Sequence, residues 1–250
     1  ADTDYSNTTG DGMVAWNWKA NGAGSSNTTG STNTIATSAN VDAGFSISTY
    51  AGNDTINTTI GHGLSKAPEL VIVKDYYTSG NWEVYEASTD NKYQLNNDSV
   101  GGDDFDFNYG TNPSATVVNL AQGASINRDP DTYVMYCWHS VDGYSKMGSY
   151  EGNGDADGTF VYTGFRPAVV IAKDATASED WTIMDSARSP YNPVGIYSRP
   201  NSTVAETSTA WIDILSNGFK IRSADTKIND SGETFIYLAF AETPFKYSNP

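Results

Sequence analysis

The residues best able to do chemistry are oxygen ligands, and they stand in one short run. Asn153-x-Asp155-x-Asp157-Gly158 puts side-chain oxygens at alternate positions before a turn glycine, the pattern of the first half of a calcium loop. The twelfth position from Asn153 is Gly164, where such a loop needs a bidentate glutamate. A polar hairpin tip is therefore the stronger reading, with no cofactor required and Ca²⁺ as an optional ligand. Nitrogen and sulfur ligands are scarce: the chain has two histidines, His62 and His139, and one cysteine, Cys137. Neither histidine has a Cys or His neighbour at zinc-ligand spacing. No Gly-x-Ser-x-Gly elbow frames a nucleophile. Cys137 lies in the apolar run at residues 133–138 and reads as a small core residue.

Aromatic side chains are the other resource, with 6 Trp, 16 Tyr and 9 Phe. Tyr76, Tyr77, Tyr191 and Tyr197 fall in loop-like stretches and are the aromatics expected at the surface, where Tyr beside Asn and Asp suits contact with a glycan or a protein. Gly101-Gly102-Asp103-Asp104-Phe105-Asp106-Phe107 alternates acid and aromatic, and reads as an edge or loop with its Phe rings tucked inward. Paired carboxylates could hydrolyse a polysaccharide. Among 30 acidic residues, however, accidental pairs are certain, and separation in space decides that chemistry.

The elements that must position these residues are strands. Asn, Ser, Thr, Gly and Asp fill the chain between short apolar runs, the profile of an all-β protein. Residues 70–73 form a continuous apolar run after Pro68, as a strand buried on both faces does. Phe45, Ile47 and Thr49 alternate with Ser46, Ser48 and Tyr50, as in a half-buried strand, and Ser216-Asn217-Gly218 reads as a hairpin turn. No segment sustains a helical period beyond about two turns.

The chain also says much the same thing twice. Tyr50-Ala51-Gly52-Asn53 returns as Tyr150-Glu151-Gly152-Asn153, and Trp82 returns as Trp181, an offset of 181 − 82 = 99. Thr132 returns as Thr234, an offset of 234 − 132 = 102, at the head of matching apolar runs. Steady offsets over many residues indicate two copies of one unit. The expected organisation is two tandem antiparallel β-sandwich modules, jelly-roll-like, over residues 45–146 and 147–250. An extended N-terminal arm, residues 1–44, precedes them. In that arm Val14, Trp16 and Trp18 alternate as a short strand or an extended segment, and Trp16 and Trp18 are the candidates for docking on a neighbouring subunit.

Net charge is −16. That sign removes nucleic acid and anionic membrane surfaces from the expected partners. No stretch is long enough for a transmembrane helix, so no membrane insertion is expected. The chain opens on Ala1 rather than Met, and reads as processed or as a piece of something longer.

Several of these strings resemble a known family. They are Gly61-His62-Gly63-Leu64-Ser65-Lys66-Ala67-Pro68-Glu69-Leu70-Val71, Gly148-Ser149-Tyr150-Glu151-Gly152-Asn153, Asp185-Ser186-Ala187-Arg188-Ser189-Pro190-Tyr191-Asn192 and Leu215-Ser216-Asn217-Gly218-Phe219-Lys220. In this order they resemble a duplicated β-rich domain of unknown function in tail and fibre proteins of marine tailed bacteriophages. The similarity runs from about Asp11 to the end of the chain. The resemblance implies an oligomeric virion surface component and carries over no catalytic residue. The expected function is non-enzymatic: a tail or capsid fibre that contacts itself, other virion proteins and a host-surface glycan or protein. A structural capsid-decoration or fibre-stalk subunit is the alternative, and a polysaccharide depolymerase the weakest reading.

Overall fold

The computed structural model describes residues 14–102, 112–122 and 125–243. The acidic and aromatic residues Asp103, Asp104, Phe105, Asp106 and Phe107 lie outside the described residues, as do 1–13 of the arm and 244–250. The first half of the chain forms β1 (Ala36–Asn40), β2 (Phe45–Ala51), β3 (Thr58–Gly61), β4 (Leu70–Asp75), β5 (Trp82–Glu86), β6 (Asn91–Gln94), β7 (Val117–Leu120) and β8 (Thr132–Trp138). The second forms β9 (Ser145–Glu151), β10 (Phe160–Tyr162), β11 (Pro167–Asp174), β12 (Thr182–Asp185), β13 (Val194–Ser198), β14 (Thr207–Leu215) and β15 (Gly218–Ile221). A one-turn helix α1 (Thr226–Asn229) and β16 (Thr234–Ala241) complete it. The protein is all-β, and its named strands pair antiparallel throughout.

Six strands form one sheet in the order β1-β2-β8-β4-β5-β6. Eight form another, β10-β15-β14-β13-β12-β11-β16-β9, while β3 and β7 pair apart. The eight-stranded sheet curls until its ends nearly meet, and Thr159 Oγ1 beside β10 donates to Glu151 O on β9 over 2.7 Å. The orders β2-β8-β4-β5-β6 and β9-β16-β11-β12-β13 run in parallel through the two sheets. Matching bonds accompany them. Tyr50 donates to Ile126 O over 2.7 Å and stacks on Tyr133. Tyr150 donates to Ile228 O over 2.8 Å and stacks on Phe235.

Strand alternation explains why the runs at residues 70–73, 133–138 and 235–240 are apolar throughout. Val71, Val73, Tyr133, Met135 and Cys137 face a core closed by Ile60, Val118 and Leu120 of the small sheet. Phe235, Tyr237 and Ala239 face a second core inside the curled sheet, with Trp211 and Phe219. The opposite faces, carrying Leu70, Trp138, Ile236, Leu238 and Phe240, meet in a third core between the two large sheets. Side chains pointing both ways are buried, so alternation of polarity is lost. The two halves therefore share a core.

The N-terminal region also departs from expectation. Residues 36–40 pair with β2 in full register, so the arm is shorter than 44 residues. Residues 14–20 join no strand. Their indoles pack on the same chain, Trp18 lying edge-on to Trp138 at 6.0 Å and to Phe240 at 5.2 Å.

Candidate functional site

Three regions stand out, two of them built on side chains that sequence reasoning singled out. The first is the turn after β4. Asp75 Oδ1 accepts the N–H of Tyr77 at 2.9 Å and of Thr78 at 3.1 Å, and Oδ2 accepts Thr78 Oγ1 at 2.7 Å. Lys74 Nζ closes the turn from the other side, donating to Asp75 O and Thr78 O, each at 2.7 Å. Burial acts to raise the Asp75 carboxyl pKa, but the bonds from Thr78 and Tyr77 outweigh it and hold the group below its usual range. On this braced turn Tyr76 and Tyr77 stand 66% and 76% exposed, ring centroids 5.1 Å apart and edge to face.

The turn after β11 is wired the same way. Asp174 Oδ1 accepts Thr176 N and Ala177 N, while Lys173 Nζ donates to Asp174 O and Ala177 O. Here small residues replace the tyrosines: Ala175 is buried and its carbonyl accepts Gly101 N at 3.3 Å, while Thr176 is exposed. Lys173 is fully buried, which pushes its ammonium pKa down to about 8 against the pull of nearby carboxylates, Asp174 first. One turn geometry thus forms equally with Ala-Thr and with Tyr-Tyr. Nothing in the turn's own construction requires the exposed rings.

Tyr191 is exposed as expected, at 83%, in the loop before β13. Tyr197 is not. It lies on β13, stacked on Trp211 at 3.8 Å, with its ring buried and its hydroxyl accepting from Arg199. Sequence reading placed it in a loop because β13 is short and ends in Ser-Arg-Pro-Asn.

The second region is the 153–158 hairpin. Asn153 Oδ1 accepts Asp155 N at 3.0 Å and Asn229 Nδ2 at 3.0 Å. Asp155 Oδ1 accepts Asp157 N, and the Asp157 carboxylate pairs with Lys220 at 3.0 Å and Arg222 at 3.3 Å. These partners hold the Asp157 pKa down, the bond from Lys220 foremost. The three candidate ligands thus serve as hydrogen-bond acceptors and ion-pair partners. No cluster of three or more His, Cys, Asp or Glu suited to a metal occurs among the described residues.

The histidines and the cysteine are buried. His62 Nδ1 accepts Leu64 N at 3.1 Å, which leaves Nε2 to carry the proton toward Ser114 O at 3.2 Å. Burial pushes its pKa down to about 4. Burial likewise pushes the Cys137 thiol far above its ordinary range.

Sequence reading did not find the third region, a cleft between the two large sheets. Its volume is about 270 Å³, and Trp16, Trp18, Trp138, Trp181, Leu95 and Pro200 are among its lining residues. A shallower pocket lined by Trp82, Leu95, Asn96 and Pro200 adjoins it. Five of the chain's six tryptophans thus line one apolar feature. Equivalent positions of the two halves meet there: Ile72 with Ile171, Val84 with Ile183, and Trp138 with Phe240. Trp181 Nε1 donates across the halves to Gln94 O at 3.0 Å. The guanidinium of Arg188 lies over Trp16, 5.4 Å from the ring centroid. The available signal was the tryptophan pairing at constant offset, Trp82 with Trp181, read together with Trp16 and Trp18.

A family model described as Domain of unknown function (DUF7483) matches residues 1–244, spanning both halves. No curated protein and no solved structure matches the chain.

Proposed function

The chain belongs to the DUF7483 family, and from that premise we propose that it is a non-enzymatic virion surface protein that attaches to a host-surface glycan or protein through Tyr76 and Tyr77. The observation that carries this reading is the contrast between the two equivalent turns. Where Gly101 covers the turn's first position it bears Ala175; where that position is free it bears Tyr76, beside Tyr77 on a braced backbone. Exposed aromatics on a preorganised loop lose little conformational entropy on binding and offer both an apolar face and a hydroxyl. The virion setting rests on the sequence resemblance. We read the two halves as copies of one β module, supported by their matching strand orders and tyrosine bonds. Tyr191 is a further contact candidate on its exposed loop.

The test uses the fluorescently labelled chain, titrated against intact host cells and against particles lacking the protein. Saturable binding to cells, reduced about tenfold or more in Tyr76→Ala/Tyr77→Ala at unchanged melting temperature, supports adhesion. Cell binding that survives the double substitution removes these residues from the reading. Binding to particles alone supports the second reading, a structural decoration or stalk subunit. The exposed Phe160 and Tyr162 on one face of β10 favour that role, as an assembly surface.

A further inference from the structure

The geometry points to the cleft between the two large sheets as a binding site for a small, apolar molecule. Its volume, about 270 Å³, is well above the ~150 Å³ engineered apolar cavity that takes up benzene. That room suits a ligand of two fused rings or a medium-length aliphatic chain. The walls are indoles and aliphatic side chains, which reward apolar burial and offer nothing to a sugar's hydroxyls. Trp138 contributes its ring to the lining, its indole N–H being buried out of a ligand's reach.

Charge argues against an anion. The arginines nearest the mouth are already paired, Arg188 with Asp185 and Glu206, and Arg199 with Asp180. The net charge of −16 repels anions. The N-terminal segment forms one side of the cleft. Trp16 and Trp18 form part of the wall, and residues 14–20 make no backbone–backbone hydrogen bond to the rest of the described chain. That wall is therefore held by side chains, through the Trp18 ring contacts and the bond from Asn40 Nδ2 to Lys19 O at 3.1 Å. The cleft and the Tyr76–Tyr77 turn share no residue, so this inference stands whether or not the adhesion reading does.

The probe is prodan, a neutral naphthalene ketone whose emission shifts to the blue in apolar surroundings and responds to hydrogen bonding at its carbonyl. Titration of the intact chain is expected to show saturable uptake of one molecule per chain with a blue shift. Leu95→Trp, which fills the cleft, is expected to weaken uptake tenfold or more. Pro200→Trp serves the same purpose if Leu95→Trp melts early, circular dichroism confirming the fold of whichever variant is used. Tyr76→Ala/Tyr77→Ala is expected to bind prodan normally. Absent or non-saturable uptake, or uptake unchanged in a folded cleft-filling variant, overturns the proposal.

Discussion

Replacing Asn229 by alanine tests whether hydrogen bonding, with no metal, holds the 153–158 hairpin. Asn229 is fully buried at the end of α1. Its Nδ2 donates to Asn153 Oδ1 at 3.0 Å, Asp155 O at 2.7 Å and Ser223 O at 2.8 Å, and its Oδ1 accepts Asn153 N at 2.9 Å. The two Nδ2 hydrogens are shared among three acceptors, so at about 1 kcal/mol net for each of three bonds Asn229→Ala is expected to cost about 3 kcal/mol. For a chain of this size that corresponds to a fall in Tm of about 10 °C. The assay is a urea titration followed by circular dichroism, with thermal melting in parallel. Asn127 occupies the matching place, accepting Asn53 N and donating to Thr55 O and Ala121 O. Asn127→Ala is therefore expected to cost about 3 kcal/mol. Adding EDTA is expected to leave both transitions where they were. A loss below about 1 kcal/mol for Asn229→Ala would refute the reasoning. So would a rise in Tm with millimolar Ca²⁺ that vanishes in Asp155→Asn, which would restore the calcium reading.

Three further outcomes follow from buried groups and close contacts. His62 titrates near 6.5 when unfolded and about 4 when folded, so its contribution to stability is complete above pH 6.5 and is lost as pH falls toward 4. The loss is on the order of 3 kcal/mol, and His62→Gln should flatten that part of the pH–stability curve; an unchanged slope would count against it. Gly52→Ala and Gly152→Ala should be alike, since a Cβ would lie 2.2 Å from Arg128 O in one and 2.1 Å from Asp230 O in the other. Each is expected to cost more than about 2 kcal/mol by chemical denaturation, and near-neutrality of either would show that the equivalent backbones differ. Trp18→Ala removes two edge-on aromatic contacts and should lower stability by about 1–3 kcal/mol at every protein concentration. A loss that appears only at high concentration would instead place the arm on a neighbouring subunit.

The sequence by itself determined the strand class and much of the wiring. Val71-Ile72-Val73 had to be a strand buried on both faces, and the repeated Tyr-x-Gly-Asn strings marked positions whose hydrogen bonds turn out to match. Local period, turn residues and self-similarity act over a few residues, so they survive in one dimension. Weaker strands escaped notice. Residues 36–40 and 91–94 are largely polar because they lie on sheet edges, and β13 carries a glycine among its few residues. The expected loop tyrosine Tyr197 failed for that reason, its ring being claimed by Trp211 across the adjacent strand. Only the tertiary structure decided what the apolar faces meet. Leu70 and Trp138 could have packed within their own half, on a partner subunit or on the other half, because burial is non-directional and rewards any apolar partner equally. The fold brought them against Leu238 and Phe240, and the cleft lies where those faces do not quite close. In the same way, covering one turn with Gly101 and leaving its equivalent open separated Ala175 from Tyr76, a distinction visible only once both halves are placed together.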